Sequence, residues 1–367
     1  MIKLCSIKEY DDSFANLPVV LVGAGNNSRI ILNEHTWNIL GAVDNNNELS
    51  GKYVNSGSRE TLVHRWEDLY NEEFSECALM ITPLMASGLI DQVENDEILK
   101  DRMVFVYSYM QAIQWDIDRI AMSRAKFDIT RSETSKIPKV IHYFWFSGDP
   151  YPEKVQRCID SWRKYCPDYE FIKWDHENYK TDNVFCNEAL SVKNWAFASD
   201  YGRCDVLRKY GGIYLDLDVE LIKPLDDLLY DDGFFVFESA AGVDPGSGMG
   251  AAKGNRIFEE ICDRYENLRY INEDGSFNRV SIIEQYTGVL IEHGLIPNGL
   301  YQNVEGIAVY PPLVMSPYSY NTGITSIYEN TYGIHHWVSA WISEDYRREL
   351  DRKKQFISGN IKSLLDR

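Results

Sequence analysis

The stretch that most limits what this chain can fold into is AFASDYGRCDVLRKYGGIYLDLDV, running from Ala196 to Val219. Leu207 lies one turn beyond Cys204, and Arg203 and Lys209 stand among apolar neighbours at helical spacing, so its first part reads as a helix. Gly211-Gly212 ends that helix, because glycine takes a positive φ at no steric cost. Ile213-Tyr214-Leu215 then reads as a short buried strand, with Asp216-Leu217-Asp218 at its end. Side chains on a strand alternate with period two, so Asp216 and Asp218 are expected on one face. Two carboxylates that close raise each other's pKa, and a cation between them removes the conflict. Oxygen ligands at a strand end suit a hard divalent ion, Mg²⁺ or Mn²⁺, held together with substrate phosphates. A solvated acidic turn is the plain alternative for an isolated Asp-x-Asp. Here a buried strand precedes the pair, and a helix bearing Asp200 and Arg203 precedes the strand, which favours the metal reading.

The fixed positions Ala198-Ser199-Asp200, Arg203, Leu207, Gly211-Gly212-Ile213-Tyr214, Asp216 and Asp218 resemble the sugar-binding DXD region of glycosyltransferase family 32. A similar block occurs in the glucosylating clostridial toxins. The resemblance implies a glycosyltransferase-A fold. It also implies metal-dependent, retaining transfer of a hexose or N-acetylhexosamine from a nucleotide-diphosphate sugar, with uridine diphosphate donors favoured. The implied acceptor is a bacterial surface or capsular polysaccharide or a lipid-linked oligosaccharide. Carried over position by position, Asp218 becomes the direct metal ligand, and Asp216 holds ribose, sugar and metal-bound water. Asp200 accepts hydrogen bonds from sugar hydroxyls, Arg203 meets sugar or phosphate oxygens, and Tyr214 sits with the donor. Ile137-Pro138-Lys139-Val140-Ile141-His142 followed by Trp145 resembles the start of the family's transferase domain, which makes Trp145 a candidate to stack on the donor base. His142, in a strand interior, reads as a packed residue. Near the end, the run Tyr332 to Trp341 resembles the family's closing His-x-Trp-x-x-x-Trp element. His335 is placed there as the residue that completes metal coordination. On a strand His335 and His336 point to opposite faces, so one of the two is expected to bind. Ser339 and Trp341 match donor-phosphate contacts of the related toxin element.

The chain begins differently. Leu17 to Val22 reads as a buried strand and is followed by Gly23-Ala24-Gly25-Asn26-Asn27-Ser28, a helical pattern, and a second strand Ile39 to Val43 ending in Asp44. Strand, glycine-rich turn, helix, strand and acid make up a dinucleotide-binding unit. Its glycines let backbone approach a pyrophosphate at a helix N-terminus, and Asp44 would accept a ribose hydroxyl. Ser28 stands where a third glycine would be. Two readings stay open: a nucleotide or nucleotide-sugar site at Gly23, Gly25, Ser28 and Asp44, or a scaffold used for docking.

Further strands at 77–82 and 103–107 complete an α/β reading in two domains. Residues 1–127 form a Rossmann-like parallel-sheet domain with a connecting helix, and 128–137 a linker. Residues 138–343 form a glycosyltransferase-A α/β domain with a mixed sheet, and 344–367 a C-terminal helix. Gly246 to Ala252 reads as a flexible stretch bordering the acceptor. A net charge of −19 argues against nucleic acid and anionic lipid as partners. Seven scattered cysteines without a C-x-x-C pair point to a reducing cytoplasm. No apolar run approaches the roughly 18 residues of a membrane span, and no signal peptide is evident. The expected place is therefore the cytoplasm, peripheral to the inner face of the membrane, alongside other polysaccharide-synthesis enzymes. The rivals are a haloacid-dehalogenase-type phosphatase with Asp216 as nucleophile beside Asp218, an NAD-dependent oxidoreductase built on the first domain, and a non-catalytic nucleotide-sugar-binding module.

Overall fold

The computed structural model describes residues 2–129, 131–338 and 342–360. These fall into two compact units. The first gathers the chain up to Ile117, the segment Ser319–Ile324 and the closing helix Glu344–Asn360. Its six strands are β1 (Val19–Val22), β2 (Ile39–Val43), β3 (Tyr53–Ser56), β4 (Arg59–His64), β5 (Ala78–Ile81) and β6 (Val104–Val106), in the order β3-β4-β2-β1-β5-β6. Every pairing is parallel except the β3–β4 hairpin. The central strands VVLV and ALMI are buried at every position, as expected of parallel strands covered on both faces. The chain steps from β1 through β2 to β4 on one side, then crosses back to β5 on the other side of β1. The order therefore reverses at β1/β5, the switch point of a doubly wound sheet.

Helices α1 (Ile7–Ser13), α2 (Asn26–Glu34), α3 (Ser87–Glu94) and the first part of α4 (Tyr107–Arg124) belong to this unit. The closing helix belongs here too, and charge explains why. Glu349 Oε1 accepts the N–H groups of Ala86 and Ser87 at 2.9 and 3.1 Å, satisfying donors at the start of α3. Ile357 enters the apolar core beside Val20, Leu79 and Ile113. The division between units falls inside α4, between Ile117 and Asp118. The polar run at 128–137 has the composition of a linker, yet its end is stitched to the second unit: the N–H groups of Lys136 and Ile137 both donate to the Leu229 carbonyl, at 2.8 and 3.0 Å.

The second unit is built on a mixed sheet. Its strands are β7 (Val140–Phe144), β8 (Glu170–Trp174), β9 (Gly212–Tyr214), β11 (Gly233–Ser239), β12 (Gly242–Val243), β13 (Met249–Ala251), β14 (Gln302–Val304) and β15 (Ile307–Tyr310), and their order is β14-β15-β11-β13-β9-β7-β8 with β12 beside β11. β7, β8 and β9 run parallel, while β13 is antiparallel to both β9 and β11. Helices α5 (Glu153–Tyr165), α6 (Val184–Ser191), α7 (Trp195–Tyr210), α8 (Arg256–Arg264) and α9 (Ile282–Glu292) complete the unit. A separate ribbon pairs β10 (Val219–Leu221) with β16 (Gly333–His335), aligning Val219 with His335. The expected α/β class holds: a parallel sheet first, a mixed sheet second.

One stretch differs from its reading. Gly246 to Ala251 is buried throughout, and its last three residues are β13, in the middle of the sheet. Its small residues serve packing, since a Cβ on Gly250 would run into the Phe234 ring. His142 on β7 is packed, as expected. Its Nδ1 accepts the Trp174 indole N–H at 3.1 Å, and its Nε2–H donates to the Gly211 carbonyl at 2.9 Å. Both nitrogens are satisfied only in the neutral ring, and burial pushes its pKa down to about 4. All seven cysteines are buried and unpaired.

Candidate active site

The site begins where α7 stops. Gly211 has φ 71° and Gly212 has φ 111°. A Cβ on Gly211 would lie 2.8 Å from the Lys253 nitrogen, and one on Gly212 would lie 2.7 Å from the Val140 carbonyl. Conformation and space therefore both demand glycine at the pair. β9 is only three residues long and ends at Tyr214, so Asp216 and Asp218 are not on a strand. They lie in a turn closed by the Val219 N–H on the Asp216 carbonyl at 3.1 Å. The turn, together with the β10–β16 ribbon, brings them together, where strand alternation was expected to.

Ligand atoms of Asp216, Asp218 and His335 all lie within 4.8 Å of one another. His335 bridges two carboxylates, with Nε2 3.3 Å from Asp218 Oδ1 and Nδ1 3.0 Å from Asp244 Oδ2. Asp218 is also held by backbone: its Oδ2 accepts the Val338 N–H at 2.8 Å and its carbonyl accepts the His336 N–H at 2.9 Å. Asp216 Oδ1 accepts the Tyr214 hydroxyl at 2.7 Å and lies 3.4 Å from Arg203. Arg203 reaches Asp200 at 3.1 Å and covers the Tyr214 ring at 4.9 Å. The turn at Asp244 closes the circle. Gly246 N–H donates to Asp244 Oδ1 at 3.0 Å, and the Gly246 carbonyl accepts the Asp216 N–H at 3.1 Å.

These contacts set the charges. Burial raises the pKa of Asp200, with Asp216 adding to it against Arg203, and the balance leaves it at about 7. Burial also raises Asp216, and the Asp218 charge adds to that, while Arg203 works against it. For Asp218 burial is outweighed by His335, which holds the carboxyl well below the usual range; the same histidine holds Asp244 low. Burial disfavours the His335 cation, but Asp218 and Asp244 outweigh it and hold its pKa well above the ordinary value. The Asp216 side chain is still 29% exposed, so a substrate can reach it.

Two carboxylates and one imidazole nitrogen make a donor set suited to Mn²⁺ or Mg²⁺ with substrate oxygens. The second imidazole nitrogen meets a carboxylate, the arrangement that fixes a metal-bound histidine in tautomer and orientation. The residues fit a divalent ion, which would take over the neutralising role of the His335 proton.

The structure thus brings Asp200, Arg203, Tyr214, Asp216, Asp218 and His335 together. Tyr214 is 2% exposed and spends its hydroxyl on Asp216. His336 turns away to Glu220, 2.9 Å from Nε2. Trp145 is half-buried; its indole N–H donates to the Asp149 carbonyl at 2.7 Å, and its ring lies 5.2 Å from that of Tyr151. Ser339 and Trp341 lie outside the described residues. Three residues of the site were given no role by the sequence. Asp244 orients His335. Trp337, at φ 51°, stacks on the His335 ring at 4.1 Å. Glu238 sits where the β11–β12 register shifts between Phe237 and Ser239, and burial followed by the Asp244 charge pushes its carboxyl up to about 7. Two of them left a signal in the sequence: Glu238 as an acid at the end of a buried strand, and Trp337 as the first tryptophan of the His-x-Trp-x-x-x-Trp element.

In the first unit, Gly23 and Asp44 border a cavity of about 230 Å³. Gly25 precedes α2 as its cap residue, without a side-chain hydrogen bond. The Ser28 hydroxyl is used internally, on the Gly23 carbonyl at 2.5 Å and Thr82 Oγ1 at 2.9 Å.

Residues 152–235 match the family model described as glycosyltransferase sugar-binding region containing DXD motif. Inositol phosphoceramide mannosyltransferase 3 of Schizosaccharomyces pombe is 35% identical over 143 residues, which cover 36% of this chain and 38% of that protein. Subversion of eukaryotic traffic protein A of Legionella pneumophila is 26% identical over 204 residues, 47% of this chain and 30% of that protein. Among solved structures, PaToxG glycosyltransferase is similar at 18% identity and a TM-score of 0.35, covering 50% of this chain and 77% of that one. The match spans less than two fifths of the length of either curated relative. The matched segment runs from α5 into β11 and holds Asp200, Arg203, Asp216 and Asp218, so this chain carries, at residues 152–235, the glycosyltransferase sugar-binding region that contains a DXD motif.

Proposed function

We propose that the chain is a metal-dependent glycosyltransferase that moves a hexose or N-acetylhexosamine from a nucleotide-diphosphate sugar to a hydroxyl of a saccharide or lipid-linked acceptor. One observation carries this reading: Asp216 and Asp218 of the family-matched segment converge with His335, beside Arg203 and Asp200. Breaking the anomeric bond builds charge on the departing diphosphate. A divalent ion held by Asp216, Asp218 and His335 Nε2 would supply Lewis-acid stabilisation of that charge. Arg203, whose cation is secured by Asp216, Tyr214 and Asp200 against burial, offers a fixed fork to sugar or phosphate oxygens. Asp200 accepts sugar hydroxyls and holds Arg203 in place. Tyr214 and the Gly246 carbonyl fix Asp216, and Asp244 fixes the ring of His335. The likeness to family 32 supports retention of anomeric configuration, which the anomer of the product tests by NMR.

The deciding experiment is a binding screen on wild type and Asp218→Ala, with Mn²⁺ present and absent. It includes UDP-glucose, UDP-galactose and UDP-N-acetylglucosamine, together with GDP-mannose because the yeast relative is named a mannosyltransferase. Metal-dependent binding of one donor, lost in the variant, is expected. Absence of donor binding under every metal would overturn the proposal.

A further inference from the structure

We infer that the first unit holds a nucleoside site of its own, in the cavity at the carboxyl ends of β1, β2 and β5. This does not rest on the transferase reading. In open α/β sheets the crevice at a topological switch point is where ligands settle, and here the order reverses at β1/β5. The cavity lies there, with Val22 at the end of β1, Val43 at the end of β2 and Pro83 just beyond β5. Its volume of about 230 Å³ falls just under the ~300 Å³ lower end of drug-sized pockets, which suits a nucleoside and is short of a dinucleotide.

The walls fit the two halves of such a molecule. Pro83, Leu89 and the edge of Trp66 present apolar and aromatic surface to a base, and the buried Val22 and Val43 complete the lining. Asp44 presents a carboxylate to the ribose. Its Oδ2 accepts the Ala24 N–H at 2.8 Å and its Oδ1 accepts the Asn46 N–H at 2.8 Å. A carboxylate offers about four acceptor sites, so each oxygen keeps capacity for one hydroxyl of a vicinal diol. The same bonds fix the carboxylate before a ligand arrives, which lowers the ordering cost of binding.

The glycine turn argues against a full dinucleotide. Gly23 lacks a side chain because Pro83 fills the space, 2.8 Å from where a Cβ would stand. Ser28 closes on the Gly23 carbonyl and Thr82. Both positions serve the packing of the turn on the neighbouring strand.

The test uses full-length Asp218→Ala protein in EDTA, so that no metal-dependent donor binding contributes. Adenosine, uridine, their 5′-monophosphates and NAD⁺ are titrated by calorimetry, with tryptophan fluorescence as a second signal. Saturable binding of a nucleoside or its monophosphate is expected. Adding Leu89→Trp, which fills the cavity, or Asp44→Asn, which weakens the diol acceptor, should reduce affinity about tenfold or more, equivalent to about 1.4 kcal/mol. The monophosphate arm shows whether a 5′-phosphate contributes. Hydrogen exchange on the parent protein, with and without nucleoside, guards against variants that fail to fold, since protection is expected at 43–46 and 83–89. No saturation up to about millimolar ligand, or binding accompanied by no protection of those segments, would overturn the inference.

Discussion

Two acids follow two strands in this molecule, and they are held in opposite ways. Asp44, after β2, is gripped by backbone: both of its oxygens accept main-chain N–H groups, from Ala24 and Asn46, within its own strand–turn–helix unit. Asp216 and Asp218, beyond β9, sit in a network of charged side chains supplied by other elements. His335 comes from a strand more than a hundred residues on, Asp244 from the turn after β12, and Arg203 from α7. A backbone grip fixes where a carboxylate points through its own local turn. A grip made of opposing charges sets protonation states, and it fails as a whole when one charge goes.

The severest test of that contrast is Asp218→Ala. Transfer, or donor hydrolysis in the absence of acceptor, should fall roughly 10²–10³-fold or more, and Mn²⁺ binding by calorimetry should disappear. Retention of both would show that the charged grip is structural only.

Acid is the second probe. His142 is neutral in the folded chain, with its pKa lowered from 6.5 to about 4 by burial. The unfolded chain binds the proton more readily, so this contribution is fully present above about pH 6.5 and is lost as pH falls toward about 4. It amounts to about 3 kcal/mol. Denaturant unfolding from pH 7 to 4.5 should show the loss in wild type and a flatter profile in His142→Gln. Parallel profiles would show that another group carries the acid sensitivity.

Asp244→Asn separates orientation from charge. It should weaken metal affinity by about 10–100-fold while leaving Asp218 in place, and transfer should recover in part at saturating Mn²⁺. A variant with unchanged metal affinity would remove Asp244 from the site. The smallest effect belongs to the backbone-held side. Ser28→Ala deletes a buried hydroxyl between Gly23 and Thr82 and should cost about 1 kcal/mol of stability, read from the denaturant midpoint.

The same contrast explains how far the sequence could be read. The helix, the glycine pair and the strand of residues 195–214 were legible because each is decided by neighbours in the chain, and Gly211 and Gly212 do take the positive φ that their position requires. β1, the glycine turn and Asp44 were legible for the same reason. The turn at Asp244 to Ser247 was not. Its glycine is needed because a Cβ on Gly246 would run into the Asp216 carboxylate, a contact made only after folding. Asp244 itself looked like any acid in a loop until His335 arrived from ninety-one positions away. The closing helix read only as a charged C-terminal helix, because nothing local shows that Glu349 will cap α3. The convergence of the two DXD acids was anticipated for the wrong geometric reason, a turn doing what alternation was expected to do.

The buried, unpaired cysteines give the chain an internal clock. Only a thiolate reacts with an alkylating reagent, and burial pushes up the thiols of Cys5, Cys77, Cys158, Cys166, Cys186 and Cys204. Modification must therefore await an opening of the structure around each one. Cys5 and Cys77 report on the first unit, and the other five on the second. Pulse alkylation followed by mass mapping would time the breathing of each half separately in the unmutated protein, and would show which half slows when metal or nucleoside is added.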